Sequence, residues 1–485
     1  MTDSKCGETI EHLTRRGLFD RFGAGLCGAA LTGLLQNNGS SVAANETMRL
    51  PDLVPKPSPS VPKANSVIHL FMNGGPSQMD LFDPKPELDR HHGESYFSKI
   101  AGEVERPESA GKLLRSSFKF AQHGQCGMWV SDVMPYLAQC VDDIAMIRSV
   151  HTVNLTHEVA LFQLHSGRAF SGYPALGAWV TYALGSENQN IPAYVVLDDP
   201  QGLPTNRGQN WQSGFLPPVY QGTRFRASGE PLLHLKREFE EPDRVTLRER
   251  LLRSVLDREH LGGRPHQPQL DARIASYELA ARMQLAAVDA LDLNQETEAT
   301  LQMYGVNDPI TDSYGRRCLI ARRLIERGVR FVQLYINGQV WDHHDNLTRR
   351  MKQVCGRTDK PVAALLNDLK QRGLFDSVLV LWGGEMGRLP IAQLSGEEST
   401  AGRDHNKNAM VQWFAGAGIK AGTVVGATDD LGMSAVENRV SVTDWHATIL
   451  ALLGYDYKQL SYSRNGLEER LTGVGEARVI NEIMA

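Results

Sequence analysis

The chain has 485 residues, 41% hydrophobic and 22% charged, the proportions of a soluble globular protein and a length that allows one large α/β domain with an insertion, or two domains. Its formal net charge of −5 leaves no basic surplus, which excludes charge-driven binding to nucleic acid or anionic lipid. Six cysteines without a CxxC spacing exclude a thiolate zinc site and a disulfide-dense scaffold.

The N-terminus reads as an export leader. Thr14-Arg15-Arg16-Gly17-Leu18-Phe19-Asp20 resembles a twin-arginine motif with Leu and Phe exchanged, and the apolar run Phe22 to Leu35 follows it. That run is too short to cross ~30 Å of hydrocarbon as a helix, so a signal core fits it better than a membrane anchor. Ser41-Val42-Ala43-Ala44 offers a small-residue cleavage site. Residues 1–44 are therefore expected to be a signal peptide read by the twin-arginine export machinery, and the mature protein to be periplasmic or secreted, with no stable membrane span. Cys6 and Cys27 fall in this leader; Cys126, Cys140, Cys318 and Cys355 are free thiols or form one or two bridges. Residues 45–65, with Pro51, Pro55, Pro57, Pro59 and Pro62, read as a linker.

The folded domain is expected over residues 66–485. Val67 to Met72 is nearly continuous in apolar residues, the pattern of a strand buried on both faces of a parallel sheet. Similar runs occur at Ile144–Ser149, Ala193–Leu197, Arg330–Ile336, Ser377–Trp382 and Met410–Phe414. Helices are expected at Pro135–Cys140, Glu158–Leu164, Pro174–Leu184, Gly315–Arg327, Asn346–Arg372 and Thr443–Leu453. Between 202 and 298 the composition turns polar, then helical in period over Arg244–Asp257 and Ala272–Ala290, which suggests a helical insertion or cap. Alternating strands and helices predict an α/β fold, a doubly wound, mostly parallel sheet with helices on both faces.

The polar residues that interrupt this pattern cluster just after strands, where an open α/β sheet gathers its ligands. Gly383-Gly384-Glu385-Met386-Gly387-Arg388 ends the central strand, and an acid there is costly unless paired or liganded. A polar loop carries Gly402-Arg403-Asp404-His405-Asn406, and Trp341-Asp342-His343-His344 follows another strand. Asp342 and His344 are two apart, so in an extended turn both point to one side and could reach one ion. Carboxylate with imidazole suits zinc, manganese or iron better than calcium; a solvated loop or a helix cap is the alternative. Asp80 is either a ligand or the organiser of the Gly-Gly-Pro-Ser loop before it. His446, opening the last helix, is a ligand or a satisfied core histidine. His165 reads as structural. No GxSxG, GxxxxGK[ST], HExxH or strand-following GxGxxG is present, so serine-elbow, nucleotide-kinase and hydride-transfer chemistry find no support.

Together, Phe71-Met72-Asn73-Gly74-Gly75-Pro76-Ser77, Trp341-Asp342-His343-His344, Gly383-Gly384-Glu385-Met386-Gly387-Arg388, Gly402-Arg403-Asp404-His405, Asp444-Trp445-His446-Ala447-Thr448 and the leader resemble the DUF1501 family, exported bacterial proteins abundant in planctomycetes. That family is in turn similar to the alkaline phosphatase/sulfatase superfamily. The resemblance implies an alkaline phosphatase/sulfatase-like α/β domain with one or two divalent ions, zinc or manganese, at the strand ends. Asp80, Asp342, His344, Glu385, Asp404, His405 and His446 are the implied ligands, and Arg388 or Arg403 would pair with an anionic group. Nine residues before Ser166-Gly167, where the superfamily's nucleophile stands, this chain has His157, preceded by Thr156. With no C/S-x-P-x-R context, a formylglycine mechanism is not expected; Thr156, His157 or an ion-bound water would serve instead. The expected activity is metal-dependent hydrolysis of a phosphate or sulfate ester of a small molecule or glycan. The alternative is a non-catalytic protein that binds an anionic glycan.

Overall fold

The computed structural model describes residues 53–226, 242–264, 267–394 and 400–485. The expected signal peptide, its twin-arginine motif and the first part of the linker lie outside the described residues. The chain divides into two units, Met1–Leu50 and Pro51–Ala485, and the fold is that of the second.

A nine-stranded sheet forms its centre. In chain order its strands are β1 (Ser66–Phe71), β2 (Ile144–His151), β3 (Tyr194–Leu197), β4 (Thr223–Phe225), β5 (Phe331–Tyr335), β6 (Val378–Gly383), β7 (Met410–Gly416), β8 (Val424–Val425) and β9 (Val440–Ser441). They lie in the order β8-β2-β7-β6-β1-β5-β3-β4, with β9 also paired to β2. Every pairing is parallel except those of β7, which runs antiparallel to both β2 and β6. The mostly parallel α/β architecture read from the apolar runs is present. The Met410 run is its antiparallel member, since the connection from 384 to 409 holds strands and, among the described residues, no crossover helix.

The two-residue period of the strands divides the core. In β1, Ile68 and Leu70 face one apolar cluster while Val67 and Phe71 face the other. The longer helices are α1 (His157–Ser166), α2 (Leu176–Leu184), α3 (Asp243–Gly262), α4 (Pro268–Leu291), α5 (Asp312–Glu326), α6 (Leu347–Gln371) and α7 (Val442–Leu452). Leu319 and Leu324 of α5 and Leu365 of α6 close the first face. Leu161 of α1, Trp179 of α2 and Leu450 of α7 close the second. Leu379, Val380 and Leu381 of β6 are fully buried, each such side chain contributing about 1.5–3 kcal/mol. The strand ends that carry the polar motifs are thereby held rigidly.

Three readings change. The polar loop around His405 is a buried strand, Gly402–Asn406, in a separate three-stranded sheet with Gly387–Gln393 and Ala110–Leu113. Pro390 obscures that strand in the sequence; the ladder slips there, with a register shift between Arg388 and Ala392. The stretch 202–298 does contain helices α3 and α4, but it also supplies β4 to the edge of the main sheet. The expected helix at Pro135–Cys140 is a 3-10 turn, Leu137–Asp143. Residues 53–64 lie along the domain, Lys63 N and Ala64 N donating to Leu452 O. Cys126, Cys140, Cys318 and Cys355 are all free thiols. Among the described residues no helix is long and apolar enough to cross a membrane.

Candidate metal centre

The site forms where the chain leaves the carboxyl ends of β1, β5 and β6. After β1, Gly74 adopts φ +111°, and a Cβ there would stand 2.5 Å from Asp342 N and 2.9 Å from the Trp341 carbonyl carbon. Only glycine lets the Asp342 loop sit this close to β1. Trp341 N donates to Asn73 O, and Ile336 N to Asn73 Oδ1, which fixes the loop on the strand end. The loop then turns Asp342 and His344 to one side and buries His343 on the other, as the two-residue spacing predicts.

Asp342 is the hub. Its Oδ1 lies 2.8 Å from His344 Nε2, 3.2 Å from His405 Nε2 and 2.6 Å from Arg388 Nη2. Its Oδ2 lies 3.5 Å from His157 Nε2. The imidazoles of His157 and His344 pack against that of His405, with ring centres 4.4 and 4.7 Å away. Arg388 and His405 are cross-strand partners in the three-stranded sheet, which places both beside Asp342. One ligand atom from each of His157, Asp342, His344 and His405 lies within 4.8 Å of the others.

The rings are backed by oxygen. His157 Nδ1 donates to Glu385 Oε1 at 2.6 Å, and Glu385 is itself fixed by the Gly74 amide at 2.9 and 3.1 Å. His344 Nδ1 donates to Gln393 Oε1. Glu105 Oε2 stands 2.9 Å from His405 Nδ1, outside hydrogen-bond geometry. This is the outer arrangement that holds a metal-binding imidazole in one tautomer with the other nitrogen's lone pair presented inward. His157 Nε2 is buried and unpartnered. Three imidazoles and a carboxylate are a fitting donor set for zinc, manganese or iron.

Charges act strongly here. Burial alone would raise Asp342, but Arg388 and the three histidines hold its carboxyl far below the usual carboxylate range. Burial would lower His157, yet Asp342 and Glu385 outweigh it and raise it to about 9. His405 is pushed down to about 4, chiefly by burial, with Arg388 and His157 adding to it.

The remaining residues of the sequence reading have other partners. Glu385 is an orienting group for His157 rather than one of the four convergent donors. Asp404 belongs with Glu105 and His405 to an overlapping set. Its oxygens, however, already accept from the backbone of Glu105, Arg106 and His405, so it shapes the loop. Asp80 is absent from the cluster because Arg403 takes both its oxygens, at 2.7 and 3.2 Å, with neither side chain exposed. His446 is also absent: it bonds Leu164 O of α1 at 2.8 Å. His165 bonds Gln333 and Tyr335. Thr156 stands just before α1 and gives its hydroxyl to Asn154 Oδ1 at 2.9 Å. Neither arginine is free for an anion. Arg388 is spent on Gly75 O, Gly74 O, Arg403 O and Asp342, and Arg403 on Asp80 and Leu389 O. Sequence reasoning missed Glu105 and Gln393; each stands alone among ordinary polar neighbours, and nothing local marks it.

The family model described as "Protein of unknown function (DUF1501)" matches residues 64–484. No curated protein matches the sequence. Among solved structures, the chain is similar to the PsFucS1 sulfatase from Pseudoalteromonas sp. at 11% identity, with 81% of this chain and 68% of that one covered and a TM-score of 0.35. For the phosphonate monoester hydrolase SpPMH from Silicibacter pomeroyi the figures are 10% identity, 81% and 73% coverage, and a TM-score of 0.33.

Proposed function

The chain belongs to the DUF1501 family, and we propose that it is an exported metal-dependent hydrolase of phosphate or sulfate esters. One divalent ion, zinc or manganese, would be held by His157, Asp342, His344 and His405. The observation that carries the reading is their convergence at the strand ends, with His157 Nε2 buried and, among the described residues, without a hydrogen-bond partner. Asp404 has its oxygens occupied by backbone amides, which favours one ion over two.

When bound, such an ion polarises an ester oxygen and supplies an activated water at neutral pH. The chain's own groups do the rest. Glu385 keeps the proton on His157 Nδ1, so that Nε2 faces the centre. Arg388 holds Asp342 ionised. His344 and Asp342, with side chains 21% and 15% exposed against 4% for His405, mark the side from which an ester enters. Export rests on the twin-arginine leader.

The second reading, non-catalytic binding of an anionic glycan, is favoured by the Thr156 hydroxyl, which is turned to Asn154. Elemental analysis of protein exported through its own leader tests the first step, beside His405→Ala. The hydrolase predicts about one equivalent of zinc or manganese, lost in the variant, with turnover of p-nitrophenyl phosphate or p-nitrophenyl sulfate. Metal without turnover of either ester transfers the assignment to the binding protein. No metal removes the centre altogether.

A further inference from the structure

If the site accepts an ester anion, a cation other than Arg388 or Arg403 must recognise any second charge on that ligand. On the same end of the sheet, two strands from β1, Asp199 follows β3. Its carboxylate is fully buried and faces two guanidiniums, Arg317 Nη2 at 2.6 Å and Arg357 Nη2 at 3.7 Å. Arg317 is consumed: it also donates to the carbonyls of Ser313, Asp198 and Tyr335 and is 2% exposed. Arg357 is not. Among the described residues its one hydrogen bond is a long one, 3.3 Å to Asn337 Oδ1, and its side chain is 23% exposed. One carboxylate between two guanidiniums leaves a net positive charge, and the solvent-reaching member carries it. Burial and the Arg317 charge both disfavour a second cation there, and Arg357 is held below the ordinary arginine range. An arriving anion relieves that crowding.

Resting on the metal-centre reading for the position of the first anion, we propose that Arg357, with Asn337 at its side, binds a second anionic group of the ligand. Asp199 follows β3, one strand beyond β5 and two beyond β1, and adjacent strands lie about 4.8 Å apart, so the carboxylate that Arg357 faces stands on the order of 5–10 Å across the sheet from the Gly74–Asp342 contact. The preferred ligand is therefore a polyanion, with sulfate or phosphate groups about that far apart, rather than a lone monoester. Arg357 determines specificity through binding and takes no part in bond cleavage. The guanidinium fork suits the tetrahedral anion, and a charge-assisted pair at a partly buried position strengthens binding about tenfold or more.

Calorimetric titration with hexanediol bisphosphate, ethanediol bisphosphate and inorganic phosphate tests this on metal-loaded and on chelated protein. The expected result is tighter binding of the longer bisphosphate by about tenfold, lost in Arg357→Gln and partly kept in Arg357→Lys, with metal content unchanged. Asn337→Asp, which leaves the arginine in place and adds a repelling charge on a half-exposed loop, should weaken the longer bisphosphate likewise and covers the case in which Arg357→Gln fails to fold. An Arg357→Gln protein that folds and keeps the preference overturns the proposal, as does a wild type with no preference for the longer ligand. If the protein holds no metal while phosphate binding remains dependent on Arg357, the subsite stands and the hydrolase falls. If metal and ester turnover are present but indifferent to Arg357, the hydrolase stands and the subsite falls.

Discussion

Glu385 holds the Nδ1 of His157 at 2.6 Å, so the one acid that ends the central strand reaches the centre only through an imidazole. A carboxylate in that position fixes the ring's tautomer and orientation and raises its basicity as a ligand. Glu385→Gln should keep the fold and lower metal affinity about 10–100-fold, the usual effect of removing such an outer partner. Competition with a chelator of known affinity measures it. Unchanged affinity would mean that Glu385 only secures the Gly74 turn.

The ion, where present, binds the folded state alone. At a free concentration a hundred times its dissociation constant it would stabilise the protein by about 2.7 kcal/mol. Chelation should therefore lower the unfolding temperature of the wild type and leave that of His344→Ala unaffected. Scanning calorimetry distinguishes the two, and a wild type indifferent to chelator would count against the centre.

Asp80 and Arg403 form an ion pair with both side chains fully buried. Asp80→Asn leaves a guanidinium buried without its counter-charge and should cost about 3–5 kcal/mol. The folded fraction should retain its full metal content. Urea unfolding together with metal analysis checks both halves, and the reverse pattern, normal stability with lost metal, would return Asp80 to the ligand set.

Acid should destabilise the protein through three histidines that are buried outside the four-residue centre, His69, His165 and His446, the rings of His69 and His165 lying 6.0 Å apart. Burial first, with neighbouring charge added, lowers His69 to about 3 and His446 to about 4, and His165 falls well below its ordinary value. The unfolded chain takes up protons as the pH falls through about 6.5, while these native imidazoles stay neutral. Their contribution is thus full above about pH 6.5 and is lost as the pH falls, by about 1.4 kcal/mol per pH unit for each histidine. Urea unfolding between pH 7 and about 5 should show that slope, and His69→Gln should remove one histidine's share of it. A slope unaltered in His69→Gln would show that His69 is protonated in the native state.

Much of the fold was legible in the chain. The strands β1, β2, β3, β5, β6 and β7 appear as apolar runs because a sheet buried on both faces admits few polar side chains. Thr223–Phe225 did not, since three residues carry no period. The strand holding His405 did not either: its side chains are polar, with Arg403 turned to Asp80 and His405 to Asp342, and its partner is broken by Pro390. Asp342 and His344 could be paired from spacing alone, whereas His157 entered only through an inexact resemblance.

Local sequence determined where polar residues interrupt apolar strands, and hence which end of the sheet carries the candidate site. It also determined that Asp342 and His344 look the same way, because backbone alternation is a property of neighbouring residues. The tertiary structure alone decided which acids meet histidines and which meet arginines. Asp80 and Asp342 are both carboxylates beside glycine-rich strand ends. One is neutralised by Arg403 and the other gathers three imidazoles, because strand order and sheet register, set by packing across hundreds of residues, choose the neighbour that offsets the desolvation of each charge.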